Sequence, residues 1–158
     1  MQVQISSVGI AALIERASRL IHSIGYAEGL YPAQWTALRF FSEAPPSART
    51  TAGLARFQGM SVGPVARTVR VLVAKGLLAR VTNPASRRAD LITVTVGGQG
   101  FLKRDPRVAI AALIEGIPGK ERIALATMLE ALIPSLYSQR EDLDATDNLT
   151  GQPPLAGQ

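Results

Sequence analysis

The chain has 158 residues and no cysteine. That excludes disulfides, thiolate metal ligands and a cysteine nucleophile, and it suits a reducing compartment. Histidine occurs once, at His22, so no histidine cluster can hold a metal. Aromatic residues make up 5% of the chain, which leaves an aliphatic core rich in Ala, Leu, Val and Ile. No apolar run approaches the roughly 18 residues that a bilayer span requires. Met1 to Ser7 carries no basic cluster ahead of an apolar stretch, so no secretory signal is expected. The one glycine-rich run, Gly97-Gly98-Gln99-Gly100, lacks the Lys-Ser/Thr of a phosphate loop and any parallel-sheet context. The acids are scattered over amphipathic stretches and the C-terminal tail. The expectation is a soluble cytoplasmic protein that is not an enzyme, with no cofactor and no metal.

Acids are scarcest in one place. Residues 49–104 carry ten Lys or Arg and a single acid, Asp90, whereas the rest of the chain carries seven basic and eleven acidic residues. The net charge of +5 therefore conceals a strongly basic centre flanked by acidic ends. A basic block of this kind is the electrostatic footprint of a polyanion-binding surface.

Periodicity orders the elements. Ile10, Leu13, Ile14, Ala17, Leu20, Ile21 and Ile24 recur at helical spacing, predicting a helix over Val8 to Ile24 that stops at Gly25. Pro32 opens a second helix, which Pro45 and Pro46 end. Ser47 to Thr51 offers caps for a short helix from Thr51 to Phe57, and Gly59 makes the turn. Ser61 is placed to cap a fourth helix from Val62 to Ala74, with Pro64 in its first turn and Gly76 at its end. Leu77 to Thr82 and the alternating Leu91 to Val96 predict a β-hairpin with Arg87 and Arg88 at its tip. A helical stretch broadly over Gln99 to Glu115 follows, with Pro106 leaving its start and continuity open, and then an amphipathic helix from Lys120 to Ile133 that Pro134 should kink or stop. From Asp142 onward the polar, Gly/Pro-containing sequence reads as a frayed tail.

The fold class is mainly α with a small β-hairpin: a winged helix–turn–helix core with terminal dimerisation helices. The division is 1–30 for the N-terminal dimerisation helix, 31–97 for the DNA-binding domain, 98–140 for the C-terminal dimerisation helices and 141–158 for a flexible tail. The terminal helices carry more aliphatic surface than a small core can cover, so they pack on each other or on a second copy.

The segment Leu54 to Leu72 holds the sharpest motif. Leu54, Val65, Val69 and Leu72 are spaced to face a core, with Gly59 and Ser61 in the turn between two crossing helices. Gly63, Pro64, Arg67, Thr68 and Arg70 are left on the opposite side. Such a second helix lies in the major groove. Arg67 is the candidate for base contact, since a guanidinium matches guanine O6 and N7. Thr68 is suited to a phosphate or a thymine methyl, and Ser61 and Arg70 to phosphates. Arg87 and Arg88 form a wing suited to the minor groove.

Val73-Ala74-Lys75-Gly76-Leu77-Leu78-Ala79-Arg80, between that helix and the hairpin, resembles the MarR family of bacterial transcription regulators. Tyr31-Pro32-Ala33-Gln34-Trp35-Thr36-Ala37-Leu38 likewise resembles the family's Leu-Thr-x-x-Gln-Trp-x-x-Leu opening of the second helix. The resemblance implies a winged-helix homodimer that binds a pseudo-palindromic operator on double-stranded DNA, acts as a repressor and is released by a small aromatic or acidic effector. It also implies an effector pocket where the dimer helices meet the core. His22, Tyr26 and Trp35 lie in the matching stretch, with Arg16, Arg19 or Arg39 to pair with a carboxylate. The competing reading is a winged-helix module for protein interaction or non-specific architectural DNA binding.

The departures are specific. The family's Asp-x-x-Asp-x-Arg wing stands here as Asn83-Pro84-Ala85-Ser86-Arg87-Arg88, without either acid, which predicts a more mobile wing. Its Leu-Thr-x-x-Gly after the hairpin aligns with Val96-Gly97-Gly98-Gln99-Gly100, where Gly97 is a poor cap and predicts a late helix start. Pro64 and Ala66 stand where the family often has hydroxyls.

Overall fold

The computed structural model describes residues 6–85 and 90–150, with side chains as far as 142. It divides into two compact units, residues 1–112 and 113–158. In the first, the order is α1 (Ser7–Ile24), α2 (Pro32–Glu43), a 3-10 turn (Pro46–Ala48), α3 (Thr51–Gln58), α4 (Val62–Ala74), β1 (Leu78–Val81), β2 (Leu91–Val94) and α5 (Val96–Leu102). Helix α6 (Arg107–Glu115) runs across the division, and α7 (Gly119–Thr150) forms most of the second unit. Among the described residues the architecture is mainly helical with one two-stranded antiparallel hairpin, a winged helix.

Local chemistry accounts for most boundaries. The Ser6 hydroxyl accepts from the Gly9 amide to cap α1, and the Thr50 hydroxyl accepts from Gly53 to cap α3. Gly59 ends α3 in the left-handed region at φ 58, which glycine adopts without a Cβ clash. The Met60 amide then donates to the Ala55 carbonyl, and the chain turns into α4. Ser61 occupies the N-cap position of α4, but its side chain makes no capping hydrogen bond, so the expected cap is positional only.

The core lies under α4. Val65, Val69 and Leu72 bury the inner face of that helix against Trp35, Leu38 and Phe41 of α2, Leu54 of α3, and Leu78 and Ile92 of the hairpin. Each such side chain contributes about 1.5–3 kcal/mol by leaving water. The strands pair Leu78 with Val94 and Val81 with Leu91. The Ile92 amide donates to the Arg49 carbonyl at 2.7 Å, tying the hairpin to the segment ahead of α3.

Three expectations are corrected. The second strand ends at Val94, and the next helix starts early, at Val96, because Thr95 rather than Gly97 caps it. The Thr-x-x-Gly pattern is therefore Thr95-Val96-Gly97-Gly98, with the Thr95 hydroxyl accepting from the Gly98 amide at 3.0 Å. The stretch 99–115 is not one helix: α5 and α6 are separate, and Asp105 reopens the chain by accepting from the Arg107 amide at 2.7 Å. Pro134 lies inside α7, which continues past Asp142 to Thr150. A single proline removes one helical donor, and the bonds on either side of it carry the helix on.

Candidate nucleic-acid interface

Helix α4 separates two chemistries by its 3.6-residue period. With Val65, Val69 and Leu72 inward, Gly63, Pro64, Arg67 and Arg70 are exposed on the outer side. Thr68 is half-buried, and its hydroxyl donates back to the Pro64 carbonyl at 3.4 Å. Ser61 is exposed at the start of the helix. A Cβ added to Gly63 would meet nothing within 4 Å, so packing within the chain does not demand a glycine there. The small Gly63-Pro64 step leaves the first turn of the helix open to a close-fitting surface.

Ion pairing distinguishes the arginines. Arg80 lies 3.6 Å from Asp90, so the one acid of the basic block is paired at the loop end of the hairpin strands. Arg104 pairs with Glu28 at 3.2 Å, Arg19 with Glu15 and Arg107 with Glu43. Among the described residues, Arg67 and Arg70 pair with no carboxylate, and neither does Arg56 on the exposed side of α3. Arg56 is a site candidate that the sequence reading passed over. Its signal was a third arginine in the helix–turn–helix, three residues before Gly59. In the wing, the Asn83 side chain accepts from the Ala85 amide at 3.0 Å as the chain enters the tip. Arg87 and Arg88, with Ser86, lie outside the described residues.

The proposed effector residues divide. His22 lines a cavity of about 410 Å³ with Ile21, Pro32, Thr36, Arg39 and Arg107. Tyr26 is exposed beside it, its ring 5.5 Å from the His22 ring and edge-on. Trp35 is not brought to this cavity. It is 0% exposed in the core, with its indole N–H donating to the Ala27 carbonyl at 3.3 Å. An amphipathic ring on a helix opening looks the same in sequence whether it faces a core or a pocket. Arg16 and Arg19 are exposed on α1.

Of the two arginines that line the cavity, Arg39 is the more buried. Its Nε donates to the Trp35 carbonyl at 3.2 Å and lies 3.4 Å from the buried Asp105 carboxylate. Burial pushes the guanidinium below its ordinary pKa, and Asp105 opposes that shift. Among the described residues, no cluster of His, Cys, Asp and Glu could hold a metal ion. Among them also, no helix is long and apolar enough to cross a membrane.

Residues 28–89 match the model of the MarR family. No curated protein matches the chain. Solved structures do. A MarR-family transcriptional regulator from Rhodococcus sp. RHA1 is 24% identical, with 82% of this chain and 95% of that one covered at a TM-score of 0.64. BpsR from Bordetella bronchiseptica, whose DNA binding is regulated by 6-hydroxynicotinic acid, is 23% identical, with 78% and 97% covered at 0.61. A mutant MarR from E. coli complexed with operator DNA is 21% identical, with 79% and 91% covered at 0.60. These likenesses establish the fold.

Proposed function

From the match of residues 28–89 to the MarR family model we propose that the protein is a dimeric, operator-binding transcriptional repressor of the cytoplasm. The observation that carries the reading is the outer face of α4. Arg67 and Arg70 stand there without acid partners among the described residues, beside the open Gly63-Pro64 step. Arg67 contacts a base edge in the major groove, and Ser61, Thr68 and Arg70 hold the backbone. Arg56 adds a phosphate contact from α3, and Arg87 and Arg88 reach the minor groove from the wing.

The apolar faces support a dimer. Val8, Ile10, Leu13, Leu20, Ile21 and Ile24 are all exposed on α1, and Ile123, Met128, Ile133 and Leu136 on α7. Contiguous apolar surface of this extent marks an interaction site. A two-fold pair of winged helices reads two half-sites about one helical turn apart. The His22 cavity supports release by a small acid, since Arg39 and Arg107 both line it.

The deciding measurement is binding to the inverted repeat upstream of the protein's own gene and to random duplex, each across a salt series. A regulator prefers its site by about a thousandfold or more. Equal affinity on both duplexes defeats the proposal in favour of an architectural or protein-binding winged helix.

A further inference from the structure

Pro64, Arg67 and Val71 form one row along α4. They follow one another at three and four residues, a spacing that stacks side chains on one helical face. Pro64 and Arg67 are exposed, and Val71 is 37% exposed. Val65, Val69 and Leu72 supply the buried face of the same helix. A rise of about 1.5 Å per residue puts Pro64 and Val71 roughly 10 Å apart along the axis, one on each side of Arg67.

The row is short of hydrogen-bonding groups. Proline has no backbone N–H, and neither its ring nor the valine side chain can donate or accept. Gly63 adds no side chain, and the Thr68 hydroxyl is engaged by the Pro64 carbonyl. Arg67, between the two carbon surfaces, meets no acid among the described residues. A free cation flanked by carbon complements a polyanion that also displays apolar groups. In the major groove, base edges offer donors, acceptors and one apolar group, the 5-methyl of thymine. Carbon pressed on a donor or acceptor strips its water and returns no hydrogen bond. Carbon pressed on the methyl buries apolar surface from both sides.

We propose that Pro64 and Val71 each read a pyrimidine 5-methyl group, one on either side of the base pair that Arg67 contacts, an inference that rests on the operator reading above. The two side chains are too far apart to share a methyl, since roughly 10 Å spans about three base steps of about 3.4 Å. They make two separate apolar contacts in each half-site. Thymine carries the methyl in its ordinary form, and 5-methylcytosine presents the same group at the same ring position. The carbon surfaces of Pro64 and Val71 read the methyl and not the neighbouring O4 or N4, because they hold no group that could bond either.

The test uses the full chain and the duplex that selection from a randomised library returns. At each pyrimidine position of the half-site, four bases are compared by fluorescence anisotropy: thymine, uracil, cytosine and 5-methylcytosine. The expected result is a gain of about fourfold per methyl at two positions, which flank the position whose preference Arg67→Ala relaxes. Pro64→Ala erases the gain at one of them and Val71→Ala at the other. Val62→Ala, two residues before Pro64 and so on the other flank of the helix, keeps both gains. Thermal melts followed by circular dichroism establish that each variant is folded. A gain on uracil alone assigns the contact to thymine, and a gain on cytosine alone assigns it to the methylated base. A methyl gain at fewer than two positions overturns the proposal. So do gains that survive in folded Pro64→Ala and Val71→Ala, or that are lost in Val62→Ala alone. Selection that returns no preferred sequence defeats the operator reading and this inference with it, whereas a preferred sequence without methyl gains overturns this inference only.

Discussion

The Thr95 hydroxyl donates to the Gly76 carbonyl at 2.6 Å, closing the hairpin onto the end of α4. The same oxygen accepts from the Gly98 amide at 3.0 Å and so starts α5. One side chain therefore joins the turn after α4, the end of β2 and the opening of the next helix.

Thr95→Val keeps the shape of that side chain and removes both bonds. The loss of a cap costs about 1–2 kcal/mol, and the orphaned Gly76 carbonyl adds to it unless water reaches it. Urea unfolding should show a lower midpoint with an unchanged slope, and Thr95→Ser should recover most of the loss. A wild-type midpoint in Thr95→Val would remove the hydroxyl from the account.

Gly98→Ala tests a close approach. A Cβ at Gly98 would stand 2.2 Å from the Leu77 carbonyl oxygen and 2.6 Å from Val94. Backbone cannot yield as a flexible side chain does, so α5 must shift away from the hairpin. The expected destabilisation is about 1–3 kcal/mol, the range for overpacked sites. Gly63→Ala is the control, since its added methyl meets open space.

Arg67→Ala should relax preference at one base pair of each half-site and cost on the order of 1–3 kcal/mol per contact. Selection from a randomised operator library reads this directly. An unchanged preference profile assigns the base contact to another residue of α4.

Arg88→Ala should weaken binding on all sequences alike. The slope of log affinity against log salt should flatten by about one unit for each phosphate that the side chain no longer neutralises. A wild-type slope would take this side chain away from the DNA.

Leu20→Glu places a charge in the exposed aliphatic stripe of α1. On the proposed dimer reading, self-association should weaken by at least about tenfold, since burying an unpaired carboxylate costs more than a neutral polar group. Sedimentation equilibrium measures it, and the helical circular dichroism should be retained. A variant with wild-type association would place the dimer interface elsewhere.

The legible parts of this molecule are those set by neighbours in the chain. The bounds of α4 follow from Ser61, Pro64 and Gly76 together with the spacing of Val65, Val69 and Leu72, all within sixteen residues. The positions of Arg67 and Arg70 on the outer face follow from the same period. Of the two registers for the start of α5, Thr95-Val96-Gly97-Gly98 carries the pattern's threonine and the one that begins at Gly97 does not. The bond from Thr95 to Gly76, nineteen residues back, favours one of them. Pro134 reads as a kink or a stop because its penalty is local, whereas the continuation of α7 past it draws on the residues to either side.

The sequence by itself determined the helix–turn–helix, the hairpin and the concentration of positive charge on them. Caps, periodicity and charge counts act over a few residues and need no knowledge of what packs where. Only the tertiary structure decided which arginines keep their charge free. Arg80 is answered by Asp90 and Arg104 by Glu28, whereas Arg67 meets no acid among the described residues. It also decided that Trp35 is core, and that Arg39 lines the His22 cavity and pairs with Asp105. Arg39 and Asp105 lie 66 residues apart in the chain, and only packing α2 against the start of α6 brings their opposite charges within reach.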